Sequence, residues 1–543
     1  MAIILGISGG FIHRVENPAA CLVIKGKLEF AQEEERINRI KNSRGLMPTH
    51  AIKEALKYKN LKIKDVDYVA LNFNFPKILK KIKSYFFFNF GYCPKIKLVD
   101  HHTSHAYSAY FPSGFNKANI LTFDFSGDGI STTISSAYGN KIKRVIEFKK
   151  PNSLGIFYGL ITQALGFEID HDEYKVMGLA SYGKVKYNLN KILKIKNSGY
   201  ELNTKIINES ELNKKTSSKL TRQEPFYSKF FLKKLQLKDR ITKDINNKKK
   251  KDIGASAQHQ LNLAAENLFN YIYKKTKISN FCLAGGVALN CTMNKHLASL
   301  DFVKNLYVQP AASDAGCSIG AALYVANKIK EKIIIKNNFY LGNSFNNNEV
   351  KKVLKNNNLL KFTKIYNHKF IAKKLAKSKI VAIFHGRHEF GPRALGNRSI
   401  LANPKDKNMK NILNKKIKYR EKFRPFAPVV LQEDAQKYFI LKKGIDYSSM
   451  TVTCDAKKIA KKKIPSCVHV DKTSRVQALC YKDNKKLGDL LKEFGKITGD
   501  PVLINTSFNL NKQPNVNTIE EAISVFYSSG IDYLVLENYI LSK

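Results

Sequence analysis

The chain has 543 residues, 43% of them hydrophobic, and a formal net charge of +49. That length exceeds one ordinary core and predicts two or three globular domains. No run of eighteen or more apolar residues occurs, and MAIILGISGG passes straight into charged sequence without a basic leader or cleavage site. The expectation is a cytoplasmic protein with no membrane segment.

The eight cysteines are scattered with no C-x-x-C pair, which fits buried, reduced thiols rather than a disulfide framework or a cysteine-zinc site. The positive charge alone would suggest nucleic acid. Lysine, however, supplies 80 of the 93 basic residues and is spread along almost the whole chain. A biased codon supply explains that excess equally well, so the charge is no evidence for a nucleic-acid partner, and none is expected.

In chain order, AIILGISGG and PAACLVIKGKLEF read as a three-stranded meander, followed by a helical pattern from His50 to Lys57. Next comes DHHTSHA. Asp100 is a good N-cap, so His101 starts a helix on which His101 and His105 share a face while His102 points about a quarter turn away. Two imidazoles at i and i+4 form a metal-binding arrangement. The glutamate of helical zinc proteases is absent, because His102 follows His101, which argues against peptide hydrolysis by that route.

A second meander, NILTFDFSGDG then STTISSAYGNKIKRVIEF, repeats the first about 117 residues later and leads into a helix from Leu154 to Leu165. Asp124 ends its first strand at the mouth of a cleft. Duplicated units of this plan frame nucleotide clefts in actin-like and sugar-kinase folds, which leaves function open. Residues 184–251 read as an inserted, mostly helical excursion, with NNKKKK (246–251) a solvated loop.

FCLAGGVALN then gives strand, double-glycine turn and helix start, where Gly285 and Gly286 would let the backbone approach a ligand. In PAASDAGCSIGAA, Asp314 opens a small-residue helix, as an N-cap or a ligand. Two His and two Asp would make a mixed nitrogen and oxygen site for Fe(II), Zn(II) or Mn(II). GNSFNNN (342–348) marks the domain boundary. Beyond it, five of the 13 arginines (Arg387, Arg393, Arg398, Arg420, Arg424) fall within 38 residues. A guanidinium is a planar fork that grips phosphate or carboxylate with two bonds, and a chain that otherwise uses lysine needs the fork there.

Taken together, HHTSHA, DFSGDG, YKVMGLASYG, AGGVALN, SDAGCSIGAA, GRHEFGPRALGNRSILANP, YREKFRPFAP and NTSFN resemble the NodU/CmcH/TobZ O-carbamoyltransferases, in order and over nearly the whole chain. The resemblance implies an α/β protein. A duplicated actin-like (ASKHA) domain over 1–345, related to tRNA threonylcarbamoyladenosine proteins, would be followed by a YrdC-like domain over 346–543. It implies carbamoyl adenylate made from carbamoyl phosphate and ATP, the latter with Mg. The carbamoyl group would then pass to a hydroxyl of a sugar-like small molecule or glycan.

The same resemblance assigns iron to His101, His105, Asp124 and Asp314. It assigns carbamoyl phosphate and ATP to Arg393, Lys418, Arg420 and Arg475 with Ser507 and Asn509, and makes Arg387 and Arg398 further candidates. The adenylate falls to Gly127, Gly285, Gly286 and Asn290. The chain departs from the pattern on the acceptor side. Where relatives read His before the alanine pair it has Glu16-Asn17-Pro18, and Asn42 stands where His is common. Glu16 or His13 would then take the acceptor proton, beside Lys41 at a basic position of the family. The rival readings are a kinase or ATPase of the actin-like fold and a tRNA-modification component.

Overall fold

The computed structural model describes residues 2–11, 16–208, 225–238, 247–334, 338–421 and 423–543. Both predicted meanders form, and each seeds a five-stranded sheet of the same plan. In the first the order is Lys27–Glu33, Ala19–Ile24, Ile3–Ser8, Tyr68–Leu71, Lys95–Leu98. The first three strands run antiparallel and the last two add parallel. In the second, Lys141–Lys149, Ile130–Tyr138, Lys117–Gly127, Asn280–Ala284 and Asn305–Val308 repeat that arrangement. Ile4, Leu5 and Ile7 are all fully buried, as expected of a strand covered on both faces.

Two helices lie between the sheets and carry the site. His101–Ser113 is capped by Asp100, whose Oδ1 accepts from Thr103 N–H at 2.7 Å. Asp314–Lys328 crosses it so closely that a Cβ on Gly320 would lie 1.7 Å from the Ser104 carbonyl oxygen. Only glycine allows that approach.

The later part of the chain forms an eight-stranded mixed sheet. Its order is Thr363–Ile365, Tyr539–Ser542, Tyr533–Leu536, Val381–Phe384, Arg398–Ala402, Val502–Ser507, Ala427–Leu431, Gln477–Leu479. At the predicted boundary the chain enters the helix Asn347–Asn356 through a capping box between Asn346 and Glu349.

The helical reading of 184–251 needs correction. Its described part holds an antiparallel hairpin, Leu193–Lys196 with Gly199–Leu202, the short helices Thr204–Ile206 and Lys229–Lys234, and at its end the first turn of a longer helix. Leu193, Tyr200 and Leu202 are buried, and the Tyr200 ring stacks on Phe148 at 4.8 Å. Residues 209–224 and 239–246 of this stretch lie outside the described residues. The lysine run is no solvated loop either. Asn247 caps a 29-residue helix, Lys248–Thr276, and the buried Lys250 ammonium sits 3.9 Å from the centre of the Phe167 ring.

All eight cysteines are free thiols and six are buried. Among the described residues no helix is long and apolar enough to cross a membrane.

Candidate active site

The four proposed ligands, spread over more than 200 residues of sequence, meet. His101 Nε2 lies 3.0 Å from Asp124 Oδ2 and 3.1 Å from His105 Nε2. Asp314 Oδ1 is 3.7 Å from both ring nitrogens, and His105 Nε2 is 3.7 Å from Asp124 Oδ2. Burial would lower the His101 pKa, but Asp314 and Asp124 lift it to about 9. Burial likewise opposes ionisation of Asp124, yet hydrogen bonds from His101 and His105 hold it well below the carboxylate range. Two ring nitrogens and two carboxylates aimed at one buried point fit a divalent cation.

Cys317 joins them: its thiol and the ligand atoms of His101, His105 and Asp314 all lie within 4.8 Å of one another. Its spacing of three from Asp314 on one helix was the signal available in sequence. His102 faces away, with Nε2 donating to the Ile130 carbonyl at 3.0 Å and Nδ1 2.6 Å from Thr122 Oγ1. Burial pushes it down to about 3, so it is neutral and structural.

The glycines frame this cluster. A Cβ on Gly127 would lie 2.1 Å from the His101 ring. Gly285 adopts φ +91°, and Gly286 N–H donates to Asp124 Oδ1 at 3.1 Å. Asn290 Oδ1 accepts from Met293 N–H at 2.9 Å, and its amide nitrogen donates to Gln258 Oε1 at 2.9 Å.

A second cluster gathers cations. Burial, Arg475 and Arg424 bring Arg393 down to about 9, and burial and Arg424 bring Arg420 to the same value. Lys418 is buried with Nζ between 2.5 and 3.2 Å from four oxygens of Ser507 and Asn509. Burial and the charges of Arg420, Arg424 and Lys41 hold it well below the usual lysine range. Lys41 therefore brings a charge of the first half to this cluster. Its ammonium is 3.6 Å from Glu35. Arg424 lies over the Tyr174 ring of the YKVMGLASYG segment at 4.7 Å and 3.8 Å from Glu421.

Arg387 and Arg398 are not brought to this cluster. Arg387 donates to the Gly342 and Glu29 carbonyls at 3.0 and 2.9 Å and stacks on Tyr58. Arg398 is fully buried, donates to the His385 carbonyl at 2.8 Å, and covers Phe384. Both forks are spent on backbone oxygens, a use of arginine that sequence does not separate from anion binding.

On the acceptor side, His13 lies outside the described residues. Glu16 Oε1 is 3.5 Å from Arg44 Nε, and burial with Asp170 raises its carboxyl to about 9. Sequence reasoning did not single out His171, in the turn IDHDEYK. Its Nε2 lies 4.0 Å from Glu16 Oε1 and its Nδ1 2.8 Å from the Asn42 amide nitrogen. A lone histidine among acids just ahead of YKVMGLASYG was the only cue.

A buried nitrogen and oxygen cluster together with a separate gathering of half-buried cations is the equipment of a group-transfer enzyme that handles anions. The family follows from comparison. Residues 72–323 match the carbamoyltransferase N-terminus model and 372–543 the carbamoyltransferase C-terminus model. An uncharacterized protein, sll1178, of Synechocystis sp. is 34% identical, covering 100% of this chain and 97% of that one. Nodulation protein NolNO of Sinorhizobium fredii is 31% identical over 99% of this chain and 82% of its own length. Nodulation protein NolO of Bradyrhizobium diazoefficiens is 32% identical over 82% of this chain and 79% of its own. The chain belongs to the carbamoyltransferase family and is an enzyme that transfers a carbamoyl group.

Proposed function

We propose that this carbamoyltransferase is ATP-dependent and works in two half-reactions. At the second-half cluster water cleaves carbamoyl phosphate to carbamate and phosphate, and the carbamate oxygen bonds to the α-phosphorus of ATP, held as its Mg complex, displacing pyrophosphate and giving carbamoyl adenylate. The carbamoyl group then passes to a hydroxyl of a sugar-like acceptor at the His and Asp cluster, releasing AMP.

The crowding of Arg393, Arg420, Arg424 and Arg475 carries this reading. Burial, reinforced by their mutual repulsion, depresses Arg393 and Arg420, the latter despite Glu421, and a polyphosphate would turn that cost into attraction. Lys418, fixed on the Ser507 and Asn509 turn, supports a phosphoryl oxygen from the same side. The repeated sheet plan supports an actin-like pair over 1–345, and the mixed eight-stranded sheet is consistent with a YrdC-like unit over 346–543.

His101, His105, Asp124 and Asp314 would hold Fe(II), with Zn(II) or Mn(II) as alternatives. Bound there, the cation supplies a Lewis acid for the carbamoyl carbonyl. The Gly286 amide orients Asp124, and Asp128 accepts from His101 N–H at 2.9 Å, so the ligands are held before substrate arrives.

The test is isotope exchange. Purified protein given carbamoyl phosphate should exchange labelled pyrophosphate into ATP. Arg393→Ala or Lys418→Ala should abolish that exchange, whereas His105→Ala should keep it and lose transfer. Equal loss of both activities in His105→Ala would show that the two steps do not occupy separate sites.

A further inference from the structure

Glu16 and Asn42, the residues at the two positions where the sequence pattern leads one to look for histidine, both face one histidine from elsewhere in the chain. The loops that carry them are joined by Asn17 N–H donating to the Asn42 carbonyl at 2.9 Å. His171 enters from the turn after the helix Leu154–Ala164. That turn is held by Asp170 at φ +67°, whose N–H donates to Glu173 Oε1 at 2.8 Å. Arg44 clamps it by reaching Asp170 Oδ2 at 3.2 Å while facing Glu16.

The His171 ring is therefore fixed at both ends: Nδ1 on the Asn42 amide at 2.8 Å, Nε2 towards Glu16 at 4.0 Å and Glu168 at 3.8 Å. An amide meets an imidazole in either of two rotations. With the amide nitrogen on Nδ1 the ring proton sits on Nε2; turning the amide over to present Asn42 Oδ1 puts that proton on Nδ1 and leaves the Nε2 lone pair towards Glu16. Glu16 in turn feels the charge of Asp314, so the pair lies within electrostatic reach of the His and Asp cluster.

We propose that His171, oriented by Asn42 and paired with Glu16, is the residue that takes the proton from the acceptor hydroxyl. This rests on the two-step reading above. The hydroxyl oxygen bonds to the carbamoyl carbon as its proton moves to Nε2. The bond from that carbon to the AMP phosphate oxygen breaks, and AMP leaves with the electron pair. The imidazolium then returns the proton to solvent, giving a carbamate ester, AMP and a proton. Oriented proton removal of this kind contributes about 10²–10⁴-fold.

The experiment uses the full-length enzyme and two probes of the second step. Water is a hydroxyl that needs a base, read as AMP release without added acceptor. Hydroxylamine is nucleophilic without one, read as hydroxyurea formation. His171→Ala and His171→Gln should lower water-dependent AMP release at least about 10²-fold. Pyrophosphate exchange and hydroxylamine trapping should stay within about twofold of wild type, and added imidazole should restore part of the loss in His171→Ala. Unchanged AMP release in both variants, or equal loss of hydroxylamine trapping, overturns the assignment while exchange persists. Absence of exchange in the wild-type enzyme instead overturns the two-step reading, and this proposal with it.

Discussion

Glu16 shares its pocket with Asp170, Glu173 and Asp314, and only Arg44 among the charges acting most strongly on it offsets them. Burial and these carboxylates raise it from 4.5 to about 9. A carboxyl whose folded pKa exceeds its unfolded value binds more protons when folded, so stability falls as pH climbs from about 4.5 towards about 9. Glu16→Gln keeps the shape and removes the titration. In metal-free protein its melting temperature should match wild type near pH 5 and exceed it by about 2–4 °C at pH 8, the effect of about 1 kcal/mol in a large domain. That is far less than the full shift, because partial solvent access screens the charge. A gap that does not widen with pH, followed by thermal scans, would show that Glu16 is ionised in the fold at little cost. At this scale the sequence revealed His101 and His105, because helical periodicity puts them on one face. Asp124 and Asp314 were readable through their small-residue turns. His171 was not, since its meaning lies in Asn42 and Glu16, more than 120 residues away in the chain.

Between elements, the site depends on how closely two helices approach. One carries His101 and His105, the other Asp314 and Cys317, and they touch at Gly320. Gly320→Ala would set a methyl 1.7 Å from the Ser104 carbonyl oxygen, so backbone must shift. We expect a loss of roughly 3 kcal/mol or more in denaturant unfolding, because overpacking here strains backbone rather than a mobile side chain. Bound metal measured by elemental analysis should fall in the same variant. Gly254→Ala is the control. It lies inside the helix Lys248–Thr276, where a Cβ meets nothing nearer than 3.8 Å, and the substitution should be neutral or stabilising by up to about 1 kcal/mol. A stable, metal-loaded Gly320→Ala enzyme would show that the helix pair yields without disturbing the ligands. Elements with clear alternation and turn signals, such as the two meanders, were legible in the sequence. The hairpin Leu193–Lys196 with Gly199–Leu202 was not, because two four-residue strands, LKIK and GYEL, are too short for their alternation to stand out from lysine-rich sequence.

Across the whole molecule, the boundary at GNSFNNN divides the chain less completely than its composition suggests. One buried apolar cluster runs from Leu121, Phe157 and Phe269 to Phe423, Tyr438, Val476 and Val502, so both halves contribute to a common core. Polar ties reinforce it: Arg36 donates to the Gly391 carbonyl at 2.8 Å, Gln32 to Asn517 Oδ1 at 2.7 Å, and Arg39 to the Asn515 carbonyl at 2.5 Å. A core shared in this way predicts one calorimetric unfolding transition. Two separate transitions would show that the halves fold independently. The cation cluster sharpens the expectation, because Lys41 and Tyr174 of the first half face Lys418 and Arg424 of the second. Pyrophosphate that binds only the native state stabilises it by about 2.7 kcal/mol at a hundredfold excess over Kd. It should therefore raise the single transition as a unit. The rise should shrink with added salt, as screening weakens a site built from several charges. Arg393→Ala and Lys418→Ala should each abolish it, while leaving the transition single in the absence of pyrophosphate. If pyrophosphate moved only part of the unfolding signal, its site would belong to one half alone, and the shared core would not couple the two steps of the reaction.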